Sequence, residues 1–167
     1  MTTVVLVDDQ ELVRDGFRVI LDHEPDIEVV GEAADGVEAL AVVASADPDV
    51  VLLDIRMPRM DGLEALQLLV ARGCRARIVV LTTFGLDDYV SKAFGLGASG
   101  FLLKNCGRAA LVDGVRTVAS GDALLAPQLT RRLIEHFVAS APAMPVTDPR
   151  TDALSRRELE VLRLIAR

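Results

Sequence analysis

Short apolar runs alternate with longer amphipathic stretches along most of this chain. The short runs are rich in β-branched residues and predict strands, whereas the stretches between them have the apolar spacing of helices. The predicted strands are residues 3–7, 27–33, 49–54, 77–82 and 99–103, and the predicted helices are roughly residues 10–23, 36–46, 61–72, 87–95 and 107–120. The third and fourth strands are apolar on both faces. This alternation predicts an α/β fold with a parallel sheet covered by helices on both sides.

The pattern changes after residue 122. Residues 127–138 predict a short helix, and residues 139–152 predict an extended linker with three prolines in fourteen residues. Residues 154–167 contain a capping box, Ser155 with Glu158, followed by an apolar stripe. We expect a domain at 1–122, a helix plus an Ala/Pro-rich linker at 123–153, and at 154–167 the first helix of a second domain that is cut short.

The composition fits a globular protein. Of 167 residues, 51% are hydrophobic and 26% are charged, which excludes the disordered class. The longest apolar run, residues 39–44, is too short to span a bilayer, and the N-terminus lacks the basic segment of a secretory signal. The two cysteines, Cys74 and Cys106, form neither a disulfide framework nor a zinc motif. We therefore expect a cytoplasmic protein with no membrane contact.

The charge is unevenly distributed. Residues 1–125 carry 20 acidic and 11 basic side chains, a net charge of −9, whereas residues 126–167 carry 5 and 7, a net charge of +2. The acidic first part repels phosphate backbones, so we do not expect it to bind nucleic acid by itself. Lysine is rare, since Lys92 and Lys104 are the only two.

Polar side chains stand where the predicted strands end. Asp8 and Asp9 follow the first strand, Asp54 ends the third, Thr82 ends the fourth, and Lys104 follows the fifth. Ligands of open parallel sheets bind beyond the carboxyl ends of the strands, so these residues predict one shared site.

Three neighbouring carboxylates need a cation to neutralise them. Oxygen ligands alone suit a hard ion such as Mg²⁺. A carboxylate beside Mg²⁺ and Lys104 is placed to act as a nucleophile toward a phosphoryl group, giving an acyl phosphate, with Thr82 as a hydroxyl donor. The sequence therefore predicts phosphoryl chemistry at this edge of the sheet.

Four segments resemble the receiver domain of two-component response regulators. They read VDD (7–9), VLLDIRMPRMDG (51–62), VLTTF (80–84) and GASGFLLK (97–104), and they follow the order of the receiver landmarks. The resemblance covers residues 1 to about 122. Residues 154–167, LSRRELEVLRLIAR, are similar to the start of a LuxR-type helix-turn-helix, as in the NarL subfamily. The resemblance implies a doubly wound, flavodoxin/CheY-like sheet of five strands in the order 2-1-3-4-5.

The resemblance also implies a role for each matching residue. Asp54 corresponds to the phosphoacceptor, Asp8 and Asp9 to the acids that hold Mg²⁺, and Arg56 to the residue whose backbone carbonyl completes its coordination. The remaining matches are the phosphoryl-contacting lysine, the switch hydroxyl and the aromatic residue that moves with it, namely Lys104, Thr82 and Phe101. One position departs from the pattern, because Asn105 stands where many receivers have proline.

The implied protein is a transcription regulator and not an enzyme with its own substrate. Its partners would be a sensor histidine kinase, a second copy of itself after phosphorylation, and promoter DNA through the missing helix-turn-helix. Two alternatives stay open on the sequence. One is a stand-alone receiver that uses residues 123–167 as a docking tail. The other is a haloacid-dehalogenase-like phosphohydrolase, although that class needs one spacer between its two acids and Asp8 adjoins Asp9.

Overall fold

The computed structural model describes residues 1–83 and 87–125. The strands in this part are β1 (Thr2–Val7), β2 (Ile27–Ala33), β3 (Val50–Asp54), β4 (Arg77–Thr82), β5 (Gly100–Leu103) and β6 (Leu124–Leu125). The helices are α1 (Glu11–Leu21), α2 (Gly36–Ala46), α3 (Gly62–Ala71), α4 (Asp87–Gly95) and α5 (Arg108–Ala119). All ten elements predicted for residues 1–122 are therefore present, with ends within two residues of the prediction. The helices predicted at 127–138 and 154–167, and the linker between them, lie outside the described residues.

The strands form one parallel sheet in the order β2-β1-β3-β4-β5-β6. The predicted order of the first five strands is confirmed. The sixth strand was not predicted, and it extends the sheet to residue 125, beyond the boundary expected at 122. Two leucines are too short a run to show a period. They pair with β5 because Gly100 leaves room: a Cβ on Gly100 would lie 2.9 Å from the Cβ of Leu124.

The sheet has a hydrophobic layer on each face, because successive side chains of a strand point in opposite directions. The layer beneath α2, α3 and α4 receives Val5, Val7, Val51 and Leu53. The layer beneath α1 and α5 receives Val4, Leu6, Val50 and Leu52. These side chains are all 1% exposed or less, which explains why residues 4–7 of β1 and 50–53 of β3 are apolar without a break.

Helix α5 closes the second layer with a single buried stripe. Leu111, Val115 and Val118 are fully buried at spacings of four and three residues, as the sequence predicts. Two arginines of α5 also form ion pairs with the connection between α1 and β2, where Arg108 and Arg116 both contact Glu24. Within the described residues, no helix has the length and apolar character needed to cross a membrane.

Candidate functional site

The carboxylates converge because β1 and β3 are adjacent and in register. Val7 pairs with Leu53, so Asp8 and Asp54, which directly follow them, lie side by side at the carboxyl end of the sheet. Asp9 adds a third carboxylate, and one ligand oxygen from each of the three acids lies within 4.8 Å of the others. The acidic cluster predicted from the strand ends is therefore present.

Lys104 supplies the positive charge of the site. Its backbone N–H donates to the carbonyl of Thr82 at 2.9 Å, which fixes the end of β5 beside β4. Its Nζ lies 2.8 Å from Asp8 Oδ2 and 2.9 Å from Asp54 Oδ2. Asp8 and Asp54 are 1% and 3% exposed, so both ion pairs are shielded from water. Three ionised carboxylates and one ammonium leave two negative charges, which is the charge that a divalent cation balances.

The residues present fit a hard metal ion. Among the described residues, two buried side-chain atoms accept no hydrogen bond, namely Asp8 Oδ2 and Asp54 Oδ2. Their contact with Lys104 is an ion pair. A buried oxygen that accepts no hydrogen bond is costly unless a charged partner or a metal compensates it. Carboxylate oxygens suit Mg²⁺, which binds proteins through one or two carboxylates and keeps several waters.

Burial has the largest effect on the pKa of Asp54. Desolvation raises the pKa of its carboxyl group above the ordinary value, although the neighbouring ammonium of Lys104 acts in the opposite direction. The pKa of Lys104 is raised as well: burial lowers it, but Asp8 and Asp54 together outweigh that effect. The ammonium is therefore charged at neutral pH.

Helix capping does not account for the two acids after β1. Gln10 is the N-cap of α1, and no side chain caps that helix. Asp8 Oδ1 accepts the backbone N–H of Gln10 at 2.9 Å, which leaves its Oδ2 directed at Lys104. Asp9 is exposed, so it can reach an ion from the solvent side.

Thr82 is the last residue of β4, and Phe101 lies in β5, the neighbouring strand. Asp8, Asp54 and Lys104 meet at the carboxyl ends of the strands, whereas Phe101 belongs to the layer beneath α4. The Thr82 hydroxyl is buried and donates to the carbonyl of Thr83 at 3.0 Å. The ring of Phe101 is fully buried, with its centroid 4.6 Å from that of Phe94 on α4.

Arg56 lies in the loop between β3 and α3, two residues after Asp54. The loop is closed at its base, where the N–H of Gly62 donates to the carbonyl of Ile55 at 2.8 Å. A Cβ on Gly62 would lie 2.0 Å from the carbonyl oxygen of Asp54, so only glycine fits there. The chain therefore returns directly past the acidic cluster.

One feature near the site was not predicted. Asp35 caps α2 by accepting the N–H groups of Val37 and Glu38, and its carboxylate also pairs with Arg59 of the β3–α3 loop. Asp35 followed by Glu38 indicates a helix start. No local signal indicates its partner, because Arg59 lies 24 residues further along the chain.

Comparisons with known proteins agree with this geometry. Residues 4–116 match the family model described as the response regulator receiver domain. The chain is 40% identical to the oxygen regulatory protein NreC of Staphylococcus carnosus, over 98% of this chain and 76% of NreC. It is 37% identical to the transcriptional regulatory protein LiaR of Bacillus subtilis, over 99% of this chain and 77% of LiaR. A similar solved structure is a LuxR-family two-component response regulator from Aurantimonas sp. SI85-9A1, with TM-score 0.77 and 32% identity, over 83% of this chain and 99% of that one.

Proposed function

The chain belongs to the response regulator receiver family, in its LuxR-type branch, and from this premise we propose that Asp54 accepts a phosphoryl group from a sensor histidine kinase. The observation that carries the proposal is the buried contact of Lys104 with both Asp8 and Asp54 at the carboxyl end of the sheet. A surface aspartate that only ended a strand would need neither burial nor a shared cation. Response regulators are signalling proteins, so we expect one transfer per protein and not turnover of a free substrate.

In the proposed step, a carboxylate oxygen of Asp54 attacks the phosphorus atom. A P–O bond forms to Asp54 as the P–N bond of the donor phosphohistidine breaks, and the imidazole leaves with the bonding electrons. Lys104 stays protonated and neutralises an oxygen of the phosphoryl group. Asp8 holds Lys104 from the other side, which keeps the ammonium in place when its contact with Asp54 changes.

Mg²⁺ is the proposed cofactor, held by Asp8, Asp9, Asp54 and the backbone carbonyl of Arg56. When bound, it neutralises the charge that accumulates between the carboxylates and the incoming phosphoryl oxygens. The two buried oxygens without directed hydrogen bonds and the exposed Asp9 support this assignment.

The proposed output is a change in self-association that controls transcription. The Thr82 hydroxyl, which now donates to a backbone carbonyl, would turn toward the phosphoryl group, and Phe101 would move with it between β5 and α4. Homodimerisation would follow in the full-length protein, where a C-terminal helix-turn-helix binds promoter DNA. This chain spans about three quarters of the length of NreC and LiaR, which supports a longer parent protein. A cytoplasmic location is part of the same proposal.

The test of the phosphoacceptor is intact mass after incubation with acetyl phosphate and Mg²⁺. We expect a single phosphoryl adduct that disappears in Asp54→Asn and in protein treated with chelator. Asp15→Asn is a matched control, because Asp15 is an exposed acid on α1 outside the cluster. An adduct that persists in Asp54→Asn would refute the assignment.

The output needs separate measurements. Size-exclusion chromatography with light scattering before and after phosphorylation should show a shift from monomer to dimer, and an unchanged mass would refute that part. Reading the gene beyond codon 167 tests the missing domain. Sustained release of phosphate from a phosphomonoester would instead favour a phosphohydrolase.

A further inference from the structure

The β3–α3 loop is held at its tip as well as at its base. The N–H of Gly36, the first residue of α2, donates to the carbonyl of Met60 at 3.2 Å. Beside this bond, Arg59 Nη2 contacts the carboxylate of Asp35 and lies 2.8 Å from Glu38 Oε1. Arg56 lies between the two fixed points of the loop.

Arg59 has an uncommon backbone conformation, which its side-chain contacts help to stabilise. Its φ angle is +63°, in the left-handed region that non-glycine residues rarely adopt. The N–H of Met60 donates to the carbonyl of Pro58 at 2.7 Å across this residue, which closes a tight turn. Such a conformation persists only where surrounding contacts stabilise it.

Asp35 is an effective anchor because it is buried and ionised. It is 2% exposed, whereas the side chain of Arg59 is 56% exposed. Burial raises the pKa of Asp35. The opposite effect is larger, because the carboxylate accepts hydrogen bonds from the N–H groups of Glu38 and Val37 and from the guanidinium of Arg59, so the net shift of the pKa is downward. A pair with one buried member is worth more than an exposed pair, since breaking it leaves a charge without compensation.

We propose that Arg59 is a positioning residue for the metal site, which pairs with Asp35 and so holds the loop segment of Arg56 in its cation-binding arrangement. This inference rests on the proposed function, because that function makes the Arg56 carbonyl a metal ligand. Arg59 itself does not touch the ion. Its positive charge by itself can only repel a cation. Removing that charge should therefore leave Mg²⁺ binding unchanged or strengthen it, unless the loop moves.

The test is the Mg²⁺ dissociation constant of the unphosphorylated chain, from backbone amide chemical shifts titrated with MgCl₂. We expect Arg59→Met to weaken binding at least threefold despite the loss of a positive charge. The Mg²⁺ dissociation constant of Arg59→Lys should stay within twofold of that of the original sequence. A single nitrogen, Nη2, contacts both Asp35 and Glu38, and the ammonium of a lysine can replace it. Arg108→Met is the matched control, since Arg108 is also 56% exposed and pairs with Glu24 away from the acidic cluster.

Each result decides the matter. Unchanged or tighter Mg²⁺ binding by Arg59→Met overturns the inference while leaving the phosphoacceptor proposal intact. Equal weakening in Arg108→Met also overturns it, because the effect would then be general loss of stability. If the unchanged chain binds no Mg²⁺ but still gains a phosphoryl group, the metal assignment fails and the role of Arg59 fails with it. If Arg59→Met does not fold, Arg59→Gln takes its place, and unchanged or tighter Mg²⁺ binding by that variant overturns the inference.

Discussion

Replacing Lys104 with methionine tests whether the ammonium is what makes two buried carboxylates tolerable. It lies 2.8 Å from Asp8 Oδ2 and 2.9 Å from Asp54 Oδ2. At an effective dielectric constant of about 20, each contact is worth about 6 kcal/mol of attraction. Desolvation of the three ions offsets most of that sum, and breaking a buried ion pair typically costs about 3–5 kcal/mol. We therefore expect Lys104→Met to lower the free energy of unfolding by about 3–5 kcal/mol in the presence of chelator.

The same variant should respond more strongly to Mg²⁺. Without the ammonium, the ion meets no competing cation at Asp8 and Asp54, so its affinity rises and part of the lost stability returns. A ligand at about 100 times its dissociation constant stabilises the folded state by about 2.7 kcal/mol.

The assay is urea unfolding at pH 7 with chelator and with Mg²⁺. The control is Lys92→Met, which removes the only other lysine, an exposed side chain 5.9 Å from the ring of Tyr89. A loss below about 1 kcal/mol for Lys104→Met in chelator, or an equal loss for Lys92→Met, would refute the reasoning.

Three further outcomes follow from the packing and the hydrogen bonds. Phe101→Ala should cost about 3–5 kcal/mol in urea unfolding, because the ring is fully buried, and Phe101→Leu should cost clearly less. Gly62→Ala should abolish folding or phosphorylation, since its Cβ would lie 2.0 Å from a backbone oxygen. Gly16→Ala is the control: its Cβ has open space, so the free energy of unfolding should rise by about 0.5–1 kcal/mol. A tolerated Gly62→Ala would contradict the loop geometry. Hydrogen bonds from the backbone N–H and the hydroxyl of Thr3 lower the pKa of Asp49 below its ordinary 3.8. This carboxylate therefore stabilises the fold above pH 3.8, and the stabilisation is lost as the pH falls through the lower pKa of the folded state. Asp49→Asn should therefore be less stable than the unchanged chain at pH 6 and nearly equal to it at pH 2, and a difference that does not shrink with acid would argue against the pairing.

The sequence predicted β1 to β5 and α1 to α5 because each is long enough to show its period. Strand β3 is apolar at successive positions because it is buried on both faces, and the stripe of Leu111, Val115 and Val118 has helical spacing because α5 packs on one side only. Strand β6 gave no such signal. Its two residues were placed by the open edge of β5 and by the space beside Gly100.

The candidate site divides in the same way. The sequence by itself determined which chemical groups stand at the strand ends, because a parallel sheet brings all carboxyl ends to one edge, and this was enough to predict the cluster of Asp8, Asp9, Asp54 and Lys104. Only the tertiary structure decided which of these groups contact one another, since that depends on the strand order and on the register between strands. It also decided that Arg59 meets Asp35, because contacts between residues far apart in sequence depend on how the loop and the helix pack and leave no local pattern.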